Sequence, residues 1–159
     1  MAVNAQKPQR PTSTDRIEKR VVLRAPRARV WRALTSAEEF GTWFRAKLDG
    51  EFAVGRTTRA RVQSAGHDMI LEMLVERIEP EHYLSYRWHP YPNDPKADYS
   101  PEPTTLVEFH LEEHADGTAL TIVESGFDGI PVSRRAEAFR MHTQGWDEEA
   151  QYLARYVSA

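Results

Sequence analysis

The segment that most constrains this chain is its last one, Val132–Val157, VSRRAEAFRMHTQGWDEEAQYLARYV. Phe139, His142, Trp146, Ala150, Leu153 and Val157 recur at spacings of three and four, which places them on one stripe of an α-helix. A helix of this length with a single apolar stripe has to cover a broad apolar surface, and the rest of the chain must supply it. Ser133 is expected to cap the N-terminus, with Glu137 near the positive end and Arg155 near the negative end. Two residues interrupt the pattern. Gly145 sits mid-helix, where glycine costs about 1 kcal/mol relative to alanine, and His142 puts a polar ring on the apolar stripe.

The upstream chain reads as that surface. Ile17–Ala25 is expected to be a strand ended by Pro26. Arg27–Leu34 carries Val30, Trp31 and Leu34 at helical spacing. Ser36–Phe44 follows as a second short helix, with Ser36 and Glu39 in capping-box positions and Phe40, Trp43 and Phe44 as its apolar side. From Ala46 the period changes to two. Strands are expected near Lys47–Glu51, Thr57–Val62, Met69–Ile78, Tyr83–His89, Thr105–His114 and Thr118–Glu124, with Ala115-Asp116-Gly117 as a hairpin turn. Strands joined in succession by short turns imply an antiparallel meander. The expected fold is therefore α+β: a curved antiparallel sheet of six to seven strands wrapped around the long C-terminal helix, with two short helices after the first strand. Residues 1–15 are polar and read as a disordered tail, leaving 16–159 as one domain. The connection Pro90–Pro103, PYPNDPKADYSPEP, holds five of the ten prolines. Loops this long inside a compact domain serve as lids, as binding strips or as surface insertions, and the sequence leaves all three open.

Composition narrows the function classes. A net charge of −3 with both signs interspersed argues against nucleic acid as the partner. The chain lacks cysteine, which removes disulfide and thiolate chemistry. It has no 18-residue apolar run to span a membrane and no apolar leader, so the expected location is cytoplasmic. No nucleophile elbow, phosphate loop or dinucleotide fingerprint occurs. The six histidines show no metal-binding spacing, and His110 and His114 would stand roughly 13 Å apart on one strand. No metal and no cofactor is expected.

Several stretches resemble one family. Ala25-Pro26-Arg27-Ala28-Arg29-Val30-Trp31-Arg32-Ala33-Leu34, Tyr86-Arg87-Trp88-His89-Pro90, Thr104–Phe109 with Val123–Phe127, and Gly145-Trp146 are similar to motifs of the activator-of-heat-shock-protein-90-ATPase homologues. These belong to the START-like, birch-pollen-allergen-like superfamily. The resemblance runs from about Arg16 to Val157. It implies a helix-grip fold with a cavity between sheet and C-terminal helix, in which Gly145 either lets the helix approach another element or leaves room. It does not imply one activity, since such folds host many.

Within that frame, Glu124 falls by alternation on the apolar face of Leu120 and Ile122, so its carboxylate needs a partner or a raised pKa. Arg61 and His142 are candidate partners. The favoured reading is a strand-end carboxylate that caps backbone or pairs with arginine; the sharper one is a polar anchor or general acid/base in the cavity. The aromatic candidates for the cavity are Trp43, Phe44, Tyr86, Trp88, Phe109, Phe127, Phe139 and Trp146, joined by Glu124 and His142. The function expected is binding of a small lipophilic or aromatic molecule. The alternatives are a cyclase- or hydrolase-type enzyme using Glu124 and His142, and a chaperone ATPase co-activator. The last is set below the others because the chain is a lone domain without the extra N-terminal domain of chaperone activators. Oligomeric state is left open.

Overall fold

The computed structural model describes residues 13–64 and 67–158. The expected tail at 1–15 lies almost entirely outside the described residues. Among the described residues the chain forms seven strands and three α-helices: β1 (Arg16–Leu23), α1 (Arg27–Thr35), α2 (Ala37–Phe44), β2 (Ala46–Leu48), β3 (Thr57–Ser64), β4 (His67–Glu79), β5 (Tyr83–Trp88), β6 (Thr105–His114), β7 (Gly117–Ser125) and α3 (Val132–Ser158), with a 3-10 turn at Phe127–Gly129 before α3. The strands make one antiparallel sheet in the order β1-β7-β6-β5-β4-β3-β2. This is the expected meander, with β1 returning to pair with β7.

Local chemistry explains the elements. On β6, Val107, Phe109 and Leu111 are buried while Glu108 and His110 between them are partly exposed, the alternation of a sheet with one covered face. The β6–β7 turn is tight: His114 pairs with Gly117 across Ala115-Asp116. Gly117 has φ +140°, and a Cβ there would stand 2.1 Å from the Leu23 carbonyl oxygen, so the close approach of β1 requires glycine. Ser36 caps α2 by accepting from the Glu39 amide. The other half of the capping box is missing, because the Glu39 carboxylate is held by Arg29, Arg32 and Tyr156, tying both short helices to the end of α3.

The structure corrects three expectations about boundaries. The first strand ends at Leu23 rather than Ala25, and the second covers only Ala46–Leu48. Ser133 does not cap α3. The helix begins at Val132, and the Pro131 carbonyl already accepts from the Arg134 and Arg135 amides, so Ser133 is inside the first turn. Glu137 therefore lies beyond that turn, whereas Arg155 does occupy the last one. Of the helix stripe, Trp146, Leu153 and Val157 are buried, joined by Ala138, and Phe139 and Ala150 pack against the core as partly buried residues.

Candidate functional site

The register of β5, β6 and β7 sets the site. Tyr86 pairs with Val107 and Val107 with Glu124, while Trp88 pairs with Thr105. All five side chains are buried. Trp88 ends β5, Thr105 begins β6 and Glu124 is the penultimate residue of β7, so three polar groups collect at one end of the sheet. Helix α3 adds His142 and Trp146 from above, four residues apart on one side of the helix.

Glu124 is the centre of this cluster. It is 0% exposed, and each carboxylate oxygen accepts two hydrogen bonds. Oε2 takes the Trp88 indole N–H at 2.8 Å and the Thr105 hydroxyl at 2.6 Å. Oε1 takes the Trp146 indole N–H at 2.8 Å and His142 Nδ1 at 2.6 Å. The His142 tautomer follows from its other nitrogen: the Tyr91 amide N–H donates to Nε2 at 3.1 Å, so Nε2 carries the lone pair and the proton resides on Nδ1. Burial pushes the Glu124 pKa up, but the His142 ring and the hydrogen bonds from His142, Thr105 and Trp88 outweigh burial and hold it below its ordinary value. Glu124 is thus a buried anion satisfied by four donors. Arg61, the other partner considered for it, is instead paired with Asp68 on the exposed side of β3 and β4.

Trp88, Tyr91, His142 and Trp146 also help wall a cavity of about 200 Å³. Phe44 of α2, Val62 of β3, Met69 and Leu71 of β4, and Trp88 of β5 form one side. Met141, His142, Gly145, Trp146 and Glu149 of α3 form the other, and Tyr91 and Pro92 of the proline-rich loop close it. Trp88 and Trp146 lie near-parallel with ring centroids 6.0 Å apart. The indole N–H groups of both point to Glu124, which fixes the two rings against the cavity. Gly145 does not bring the helix backbone against another element. A Cβ there would meet nothing within 4 Å, so the missing side chain is open volume in the cavity.

The proline-rich loop is pinned beside the cavity by α3. Arg134 donates to the Pro90 carbonyl, the Tyr91 carbonyl and the Glu102 carboxylate. Tyr91 has a left-handed backbone, φ 51°, a conformation that costs a non-glycine residue about 1 kcal/mol or more. The His142 contact to its N–H and the Arg134 contact to its C=O hold it there. Beyond Pro92, Met69 and Leu71 the loop and the outer side of β3 and β4 flank a second, open groove.

Of the residues expected at the cavity, Phe44, Trp88, His142 and Trp146 line it. Glu124 is not part of the wall, but three of its four hydrogen bonds hold residues that are, Trp88, His142 and Trp146. Tyr86 and Phe109 brace the tryptophans at 5.1 Å from Trp88 and 5.9 Å from Trp146. Phe127 packs edge-on against Phe139 and His142. Trp43, near the end of α2, packs against α1 instead, its indole N–H donating to the Ala33 carbonyl. Sequence reasoning missed Glu149, Met141, Tyr91, Pro92 and the β3–β4 residues. Glu149 had a signal, since His142, Gly145, Trp146 and Glu149 follow the i, i+3, i+4, i+7 rule and share one side of the helix. Glu149 Oε1 is buried without a hydrogen-bond partner, as is the Tyr86 hydroxyl. Burial pushes the Glu149 pKa up to about 8; the charge of Arg45 opposes this and that of Glu148 adds to it. Among the described residues no group of three or more His, Cys, Asp or Glu side chains is placed to hold a metal, and no helix is long and apolar enough to cross a membrane.

A seven-stranded antiparallel sheet gripping a long C-terminal helix, with two short helices after the first strand, defines a START-like helix-grip protein. The chain belongs to the family of activator of Hsp90 ATPase homolog 1-like proteins, whose model matches residues 24–158. Solved structures agree. Protein MLL2253 from Mesorhizobium loti is 26% identical, with 90% of this chain and 96% of that one covered and a TM-score of 0.70. Protein BH1534 from Bacillus halodurans is 26% identical, with 89% and 96% covered and a TM-score of 0.64. DynU16, described as a putative protein in the dynemicin biosynthetic locus, is 27% identical with a TM-score of 0.71. The match covers 91% of this chain and 48% of DynU16, so this chain spans about half of that protein. No curated protein matches.

Proposed function

We propose that this protein binds a small lipophilic or aromatic molecule in the cavity between α3 and the sheet. The observation that carries the reading is the cavity itself, apolar on most of its wall and enlarged where Gly145 lacks a side chain. A helix interior has no intrinsic use for glycine, which destabilises it by about 1 kcal/mol against alanine. Open volume on the ligand side gives that cost a purpose. A space of about 200 Å³ is somewhat larger than the roughly 150 Å³ cavity known to take benzene. It suits one ring with a short substituent. Membership of a START-like family supports the same reading.

The acid/base alternative finds less support in the geometry. It needs Glu124 and His142 to face one ligand together. Only His142 borders the cavity, and its Nε2 is engaged by the Tyr91 amide. Glu124 and His142 instead act as a frame that sets two tryptophan rings and the loop.

Thermal-shift measurement against a panel of single-ring aromatic and short lipophilic compounds tests the proposal. A ligand present at 100 times its Kd should stabilise the protein by about 2.7 kcal/mol. The Gly145→Leu variant, whose side chain would occupy the space, should lose the response. Absence of any stabilising compound, or an equal response from Gly145→Leu, would overturn it.

A further inference from the structure

The cavity is apolar, yet a carboxyl group borders it with one oxygen unpartnered. Glu149 Oε1 is buried and hydrogen-bonded to nothing. A buried polar atom in that condition is unfavourable, and a purely hydrocarbon ligand would leave it so. A ligand with a group that meets this oxygen would relieve it. Three observations select its charge. First, among the described residues the lining includes no lysine or arginine, while Glu124, its pKa held below the ordinary value, accepts from the indoles of Trp88 and Trp146. Its field makes the space unfavourable to an anion. Second, Trp88, Trp146, Phe44 and Tyr91 line the space, and an aromatic wall attracts a cation wherever it meets a ring face. Third, burial holds Glu149 largely as the neutral acid at pH 7, so a carboxylate is available once a counter-charge enters.

We infer that the cavity takes an organic amine, with its ammonium against the Glu149 carboxylate and its apolar body against Trp88 and Trp146. The inference rests on the ligand-binding reading above and names the ligand class. Binding at pH 7 moves one proton: the Glu149 carboxyl O–H ionises, the proton passes to the buffer, and the ammonium and the carboxylate pair. The charged and titratable groups around Glu149 are Arg45 at the end of α2, Glu148 on its own helix, His142 in the same cavity wall, and Tyr86 on β5, whose hydroxyl feels the charges of both Glu149 and Glu124. Arg45 lies over the Tyr152 ring at 4.0 Å rather than in a hydrogen bond to Glu149, which leaves the carboxyl free for a ligand.

The test is isothermal calorimetry of the full chain with three probes of similar shape: 2-phenylethylamine, 2-phenylethanol and propylbenzene. The wild-type protein should bind the amine at least about tenfold more tightly than either neutral probe, the range expected of a hydrogen bond to a charged group. Repetition in phosphate and Tris buffers should show release of close to one proton per amine bound at pH 7. In Glu149→Gln the amine-to-propylbenzene affinity ratio should collapse towards one and the proton release should vanish. Circular dichroism confirms that this variant is folded. If the neutral probes bind and the amine binds no better, or if Glu149→Gln keeps the ratio, the amine inference is overturned while the cavity reading stands. If no probe binds, both fall.

Discussion

Replacing Glu124 with glutamine tests how the site is held together. The substitution preserves shape and removes one acceptor oxygen. Toward Oε2, the new amide NH₂ would face the Trp88 indole N–H and the Thr105 hydroxyl; toward Oε1 it would face the Trp146 indole N–H and His142 Nδ1–H. Thr105 can rotate to accept, and an indole cannot. His142 can accept at Nδ1 only by moving its proton to Nε2, where the Tyr91 N–H already points. The least costly orientation turns the amide toward Thr105 and strands the Trp88 N–H. A stranded buried donor costs about 1–3 kcal/mol, and the remaining bonds lose the strength that a charged acceptor gave them. Relief of the carboxylate's desolvation offsets part of this. The net expectation is a loss of about 2–4 kcal/mol, measured by urea denaturation followed by far-UV circular dichroism with an unchanged m-value. Adding Trp88→Phe should recover part of the loss, with a coupling of about 1 kcal/mol in the double-mutant cycle. If Glu124→Gln lies within about 0.5 kcal/mol of wild type, the four-donor account is wrong.

Other outcomes follow from the same geometry. Gly145→Ala should raise stability by about 1 kcal/mol in the same denaturation assay, since the helix gains and the added methyl meets nothing within 4 Å. The carboxyls of Glu124 and Glu149 should act in opposite directions with pH. Glu124, with its pKa lowered by folding, contributes stability above the ordinary value of 4.5 that is lost as pH falls below it. Glu149, with its pKa raised to about 8, favours the fold at low pH, and that contribution is lost between 4.5 and 8. Glu149→Gln should therefore be more stable than wild type at pH 8, by up to a few kcal/mol, with the difference closing toward pH 4.5 in melting curves recorded across the range. Arg134→Ala removes three contacts to the proline-rich loop and should cost about 1–2 kcal/mol, with faster hydrogen exchange and proteolysis within residues 90–103.

The fold was largely legible because two periods carry it. The change from helical spacing in Ser36–Phe44 to alternation after Ala46, and back to helical spacing after Pro131, marks every major element. The start of α3 at Val132 was legible, but its cap was misjudged: Ser133 already lies inside the first turn, whose Arg134 and Arg135 amides bond to the Pro131 carbonyl. The site was legible only where burial of a polar residue is itself a signal. Glu124 and His142 stand out on apolar faces, and the structure brings them to 2.6 Å. The pairing of Glu124 with two indoles and a threonine was not legible, because it depends on strand register among β5, β6 and β7. The division of the rings into cavity wall and packing behind it was hidden for the same reason: Phe44 and Trp88 face the space while Phe109 and Phe127 support other rings. The loop gave its length but not its anchors, which come from Arg134 and His142, more than 40 residues downstream.

The central claim is that a small molecule enters between α3 and the sheet. It is tested most directly by following the four tryptophan indole N–H resonances in a nitrogen–proton correlation spectrum as an aromatic compound from the stabilising panel is added. The account predicts that the Trp88 and Trp146 signals move together and saturably, that those of Trp31 and Trp43 stay in place, and that Gly145→Leu abolishes the response. Movement of Trp31 or Trp43 alone, or equal movement in Gly145→Leu, would contradict it.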